Sequence, residues 1–204
     1  MTSAKETAAR GAASADKTNP LLALTGLIPL ILSLPLYLLG LWTPAVIVGI
    51  LITLGVIVYH RRIGQGVTSL DLLTLIFGVA NAVLYFGFKS DILNEHIAVV
   101  IYSILLAQVA ASLLHGDPWT LQYAKRSNPR ELWDTPAFVA ANRFVTVVWG
   151  GAFLLCDLAA LFGGGALRYY IPIALLVVVA AVTQRLAVWY ARTRSLPGVE
   201  RFKR

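Results

Sequence analysis

Polar side chains inside long apolar runs are the residues of this chain with chemistry to do, because hydrocarbon offers them no partner. Asp71, Thr74, Gly78, Asn81 and Tyr85 recur at steps of three and four, which places them on one helix face. Asn142, Thr146, Gly150, Phe153 and Asp157 repeat that spacing later, and Gln108, Ser112 and His115 form another such face. Gln184 and Arg185 lie together near the end of the last apolar run. These faces are expected to point at one another. Their first expected role is packing, since small residues let helices approach and Asn or Gln bonds across helices contribute about 0.6–2 kcal/mol each. The alternative role is a path for a small solute or ion, lined by Asn81, Gln108, Thr146 and Asp157.

Asp157 sits five residues before the end of its run at Phe162, so about 7 Å below the membrane surface at the helical rise. An ionised Asp at a helix centre costs about 2.5–3.5 kcal/mol and less near an end. Asp157 is therefore expected to be neutral, hydrated or paired, with Arg168 as the nearest candidate partner in sequence. A proton-linked or cation-binding role is its functional version. His60 and His115 both close apolar runs, where they are poorly placed to meet across a bundle as haem ligands. His115 and Asp117 alone make no zinc motif. The spacing of Ser69, Ser103 and Ser112 implies no His–Asp arrangement, and no phosphate loop follows a strand. No catalytic residue, metal ligand or cofactor is assigned, and the chain is read as non-enzymatic. A membrane-embedded enzyme or redox subunit using His60 and His115 is the weaker option.

The elements that carry these residues are membrane-spanning helices. The chain of 204 residues is 58% hydrophobic and only 13% charged, against about 25% charged in soluble domains. Its mean hydropathy is +0.74, and the apolar residues come in uninterrupted blocks. The net charge is +7. The bases lie at segment ends, which points to anionic lipid headgroups and away from nucleic acid. The single cysteine, Cys156, lies inside an apolar run, so no intrachain disulfide or cysteine metal cluster can form.

The expected fold is all-α: six transmembrane helices arranged as three hairpins, with a domain spanning 20–191. A disordered tail precedes it at 1–19 and a basic tail follows at 192–204. The first span, 20–41, contains Pro29 and Pro35 and should kink. Leu41-Trp42-Thr43-Pro44 reads as a turn, and the second span, 45–59 with room to begin a residue or two earlier, is short for a crossing. Thr68 or Ser69 caps the third span, with Asp71 in its first turn where a carboxylate suits the helix dipole. The third span runs to Phe88, the fourth is 97–114, the fifth 138–162 up to a glycine run, and the sixth 169–191. Fifteen Lys and Arg residues fall at one side and two, Lys89 and Arg168, at the other. The bias puts both termini in the cytoplasm. Tyr59, Tyr123 and Tyr190 each precede bases at that side, which reads as generic interfacial anchoring.

The connection 115–137 interrupts the pattern. Asp117-Pro118 should start a helix with Pro at its first position. Trp119, Tyr123, Lys125, Arg126, Arg130 and Trp133 combine aromatic and basic groups. Such a segment is expected to lie in the headgroup layer, docked on anionic lipid or on a partner.

Two stretches carry a likeness to a known family. Tyr85-Phe86-Gly87-Phe88 with Lys89-Ser90-Asp91 and Val100 to Leu105 form one; Asn142 to Gly150, with its Trp149, forms the other. Over about residues 60–190 the chain resembles the bacterial septation-protein-A family of small inner-membrane proteins. The resemblance implies a cell-envelope role through protein contacts, with no catalysis to carry over. The expected function is thus a scaffold or accessory factor of envelope organisation in the bacterial inner membrane, partnered by lipid, envelope proteins or a second copy. A small-solute or ion transporter is the alternative.

Overall fold

The computed structural model describes residues 28–126, 128–164 and 167–193. The expected tail at 1–19, the opening of the first span at 20–27 and residues 194–204 of the expected tail at 192–204 lie outside the described residues; Arg192 and Thr193 of that tail instead end the last helix. Regular structure among the described residues is helical throughout. In chain order it comprises α1 (Ile28–Leu38), α2 (Trp42–Arg62) and α3 (Ser69–Ala82), which continues as a π-helical turn, Val83–Gly87. The short α4 (Ile92–Glu95), α5 (Ile97–Leu114) and the short α6 (Leu121–Arg126) follow. A 3₁₀ turn at Arg130–Leu132 leads to α7 (Pro136–Phe162) and α8 (Leu167–Thr193).

Among the described residues five helices are long and apolar enough to cross a membrane: α2, α3 with its π turn, α5, α7 and α8. The chain is a multi-pass helical membrane protein: each such helix satisfies its own backbone bonds in hydrocarbon. Of the expected first span, α1 is the described part; its 11 residues alone are too few for a crossing.

Local chemistry sets the ends. The expected turn at Leu41–Pro44 is instead the start of α2, because Pro44 falls in the first turn, where a missing N–H breaks no helical bond. The expected short second span is therefore 21 residues long and needs no thinning of the bilayer. Thr135 caps α7 and Pro136 opens it. At its far end Gly163 turns out of the helix into extended backbone while its N–H still bonds to the Ala159 carbonyl, and a Cβ there would collide with that oxygen, so the position suits glycine. The helix expected at Asp117-Pro118 begins only at Leu121.

Packing divides the helices into two groups. In one, α1 lies on α2 and α2 on α3; in the other, α5 lies on α7 and α7 on α8. Glycines let the backbones approach. A Cβ on Gly78 would lie 3.0 Å from Ile50 Cγ1, and one on Gly150 2.9 Å from Val109 Cγ1. The expected middle hairpin of spans three and four is not closed along its length, because α3 turns to α2 and α5 to α7. An apolar cavity of about 70 Å³ lies where the groups meet, with Thr74 and Gly78 on one wall and Ile101 and Leu105 on the other. The main core fills the second group with Val109, Val145, Trp149, Phe153 and Cys156.

Candidate functional site

The densest polar cluster lies at the basic end, where the α2–α3 turn meets the 115–137 connection. It begins with a cap. The Thr68 hydroxyl accepts from the Asp71 N–H at 3.0 Å, and the Asp71 carboxylate accepts from the Thr68 N–H at 2.9 Å. This reciprocal box satisfies two amide donors that the helix leaves open. It also aims Asp71 Oδ2 back across the turn, where His60 Nδ1 lies 3.1 Å away. His60 is fully buried and Asp71 is 2% exposed. From α6, the Arg126 guanidinium donates to the Gly66 carbonyl and comes within 3.5 Å of His60 Nε2.

A second cluster adjoins the first. The Ser69 hydroxyl accepts from Gln108 of α5 and from Gln122 of α6, each at 2.6 Å, and the Ser69 N–H donates to Gln122 Oε1 at 3.0 Å. Tyr123 of α6 is buried beside Asp71 and Arg126. Burial raises its phenol above the ordinary value; the nearby Thr68 hydroxyl opposes this, the Asp71 charge adds to it, and Arg126 and Trp119 oppose it. Tyr123 therefore stays a neutral phenol. Further along, the Thr120 hydroxyl donates to the Asn142 carbonyl at 2.9 Å and lies 2.8 Å from that of Thr146. The Trp119 N–H donates to Ser112 at 3.0 Å. Through these bonds α6 and its lead-in are tied to α2, α3, α5 and α7 at once.

The arrangement corrects several expectations. Trp119 and Tyr123 do not face a headgroup layer: they are 6% and 9% exposed. Trp119 packs edge-on against Trp149 and Phe153, with ring centroids 5.9 and 5.7 Å apart. Of the basic residues expected at the surface, Arg126 is spent inside the clasp. Lys125 and Arg130 instead flank Trp133, at 5.7 and 5.6 Å from its ring centroid, within cation–π range. The Trp133 indole donates to the Asn128 carbonyl at 3.0 Å.

The polar stripes are not brought together as one lining. Asn81, on α3, donates to Tyr37 at 3.1 Å and to Asn94 at 2.9 Å, which ties α1 and α4 to the far end of α3. Asn142 donates to the Phe138 carbonyl of its own helix at 2.8 Å. Asp157 Oδ2 accepts from Ser103 of α5 at 3.0 Å. Arg168, expected as its partner, donates to the Ala160 carbonyl at 2.8 Å. Gln184 is exposed on α8; its neighbour Thr183 takes the inward position and accepts from the Trp149 indole at 3.1 Å.

The His60–Asp71 pair was not foreseen. His60 and His115 serve different ends: His115 Nδ1 lies 2.8 Å from the Ala111 carbonyl of its own helix. Chemically the clasp is a buried carboxylate and imidazole with a half-buried guanidinium beside them. No family model, curated protein or solved structure matches the chain.

Proposed function

We propose that the chain is a non-enzymatic scaffold or accessory factor of cell-envelope organisation in a bacterial inner membrane. In this reading it has six spans, with α1 as the end of the first, and both termini in the cytoplasm. Its partners are anionic lipid headgroups and an envelope protein or a second copy. The resemblance to septation protein A points the same way.

One observation carries the reading. The 115–137 connection is bonded to four helices, yet it carries Lys125, Trp133 and Arg130 as a cation–aromatic cluster outside the crossing helices. A bundle that spends its polar groups on fixing one surface segment is built to present that segment. Packing is also supported by the separate local bonds of Asn81, Gln108, Thr146 and Asp157, none of which shares a partner with another.

The test is complementation of a deletion strain's envelope-stress phenotype at matched membrane levels. One variant set strips the surface: Lys125→Ala, Arg130→Ala and Trp133→Ala. The other neutralises the stripe: Asn81→Ala, Gln108→Ala and Asp157→Asn. Loss of function with the surface set alone is expected. Loss with the stripe set alone would replace the scaffold with the solute path.

A further inference from the structure

We propose that the seam between the two helix groups is a lipid site: it takes one ester-linked acyl chain of a bilayer glycerolipid, and Tyr37 holds the ester carbonyl. The inference stands apart from the scaffold reading, which concerns the opposite end of the bundle.

The space comes first. The cavity of about 70 Å³ at the seam is walled almost wholly by apolar atoms. One water-sized group needs ~10–15 Å³, so about five fit, and an apolar cavity stays dry. It is methylene groups that suit it. On α1 the wall residues are Pro29, Ser33 and Tyr37, four apart and so on one face. Pro29 to Tyr37 spans ~12 Å at the helical rise. The hydrocarbon of one leaflet is ~15 Å deep, half of the ~30 Å core, so this wall runs for most of the length of a chain. The seam is also open at its edge. Leu73 and Phe77 of α3 and Ile101 and Ile104 of α5 line it, yet each is only half-buried. In a bilayer, what stands at such an edge is the hydrocarbon of lipids.

The polar end decides which lipid. Tyr37 lies in the last turn of α1. Its oxygen accepts from Asn81 Nδ2 at 3.1 Å, and the same nitrogen donates to Asn94 Oδ1 at 2.9 Å. An amide nitrogen has two hydrogens, and both are spent. Asn81 is fully buried and Asn94 is 4% exposed, so the amide that grips the phenol is fixed by its surroundings. The phenol's own hydrogen meets no acceptor among the described residues. Ser33, next along the face, is spent: its hydroxyl donates to the Pro29 carbonyl at 2.7 Å. At its Tyr37 end the cavity thus offers a donor, held by neutral groups. An ester carbonyl is a neutral acceptor with an apolar chain attached, and it lies at the edge of the hydrocarbon, the depth that suits an interfacial tyrosine. A fatty acid would set a carboxylate among neutral groups with no cation to pair it. A chain without a carbonyl would leave the phenol hydrogen unpaired.

The experiment uses the full chain in phosphatidylglycerol nanodiscs doped with a trace of the same lipid bearing a diazirine midway along one chain. Two dopants are compared: one with ester-linked chains, and its ether-linked twin, which has no carbonyl. After irradiation and digestion, mass spectrometry of the ester probe should find Leu73, Phe77, Ile101 or Ile104 labelled several times more than Val177 and Val178, which face outward on α8. The ether twin should label the seam about fivefold less than the ester probe, the worth of one hydrogen bond. In Tyr37→Phe the two probes should label alike. Thr74→Phe, which puts a ring into the cavity, should lose the seam labels with both probes and keep those on α8. Seam labels no stronger than those on α8, whether the seam stays empty or a second copy fills it, overturn the proposal. So does an ether twin that labels the wild type as well as the ester probe. Should either variant fail to fold, the wild-type comparisons of seam with α8 and of ester with ether decide it.

Discussion

Helices α7 and α8 are twins in length and hydropathy. Each has 27 residues, and their hydropathies are 2.0 and 2.1. In the bundle they part company: half of the apolar window of α7 is buried and only 11% of that of α8. The difference lies in side-chain size along one face. The buried face of α7 includes Ala141, Thr146, Gly150, Ala152, Phe153 and Ala160, small residues set around a few large ones. The buried residues of α8 are Pro172, Val179 and Ala191, and its Val177 and Val178 face outward at 63% and 58% exposure. In lipid, hydropathy decides which segments insert; the fit of surfaces decides which of them lie in the middle.

The contrast can be tested at graded strength. Phe153, at 1% exposure, should cost about 3–5 kcal/mol on change to alanine, since the cavity it leaves cannot collapse. Val178→Ala should stay within about 0.5 kcal/mol. Unfolding of the full chain in mixed micelles measures both, and equal losses would dissolve the distinction between the helices.

Within α7 the two adjacent glycines should also differ. Gly150→Ala drives a methyl against Val109 and should destabilise by about 1–3 kcal/mol. A Cβ on Gly151 meets nothing within 4 Å, so Gly151→Ala should stabilise by up to about 1 kcal/mol through helix propensity. The same unfolding measurement reads the sign.

Caps should follow their geometry. Thr68→Ala removes one arm of the box that braces Asp71 and should cost about 1–2 kcal/mol. Thr135→Ala, whose bond from the Phe138 N–H is 3.4 Å long, should cost about 0.5 kcal/mol. A similarly small effect is expected at the seam of the twins. Trp149→Phe removes the indole bond to Thr183 and should cost about 0.6 kcal/mol. A loss several times larger would mean that this bond, and not surface fit, holds α8 in place.

How much of the site was legible varies residue by residue. Thr68 and Asp71 were readable as a cap and a first-turn acid because capping depends on neighbours along the chain. His60 was readable as the end of a span, yet its pairing with Asp71 was overlooked. The signal was present: a His in the last turn of one helix, an Asp in the first turn of the next, and a tight turn between them in which Gly64 takes a positive φ of 73°. Arg126 was out of reach, since it lies 66 residues from His60. Trp119 and Tyr123 misled because aromatic residues beside bases look alike at a headgroup layer and in a core lid. Their burial follows from Thr120 bonding to Asn142 and Thr146, which draws the lead-in onto α7. Asp157 misled for a related reason. Arg168 is near it along the chain, whereas Ser103 is near it across the α5–α7 contact.

By itself the sequence determined that the chain crosses a membrane several times, roughly where the described crossings begin and end, and that Thr68 or Ser69 caps one of them. Those properties depend on apolar runs, prolines, glycines and caps, all of them local. The tertiary structure alone decided that α3 turns from α5 to α2, that α7 is central, and that Asp71, His60 and Arg126 meet. Lipid tails are as apolar as the helices they surround, so water exclusion cannot choose the partners. The choice falls to shape and to short-range hydrogen bonds, which exist only once the helices are side by side.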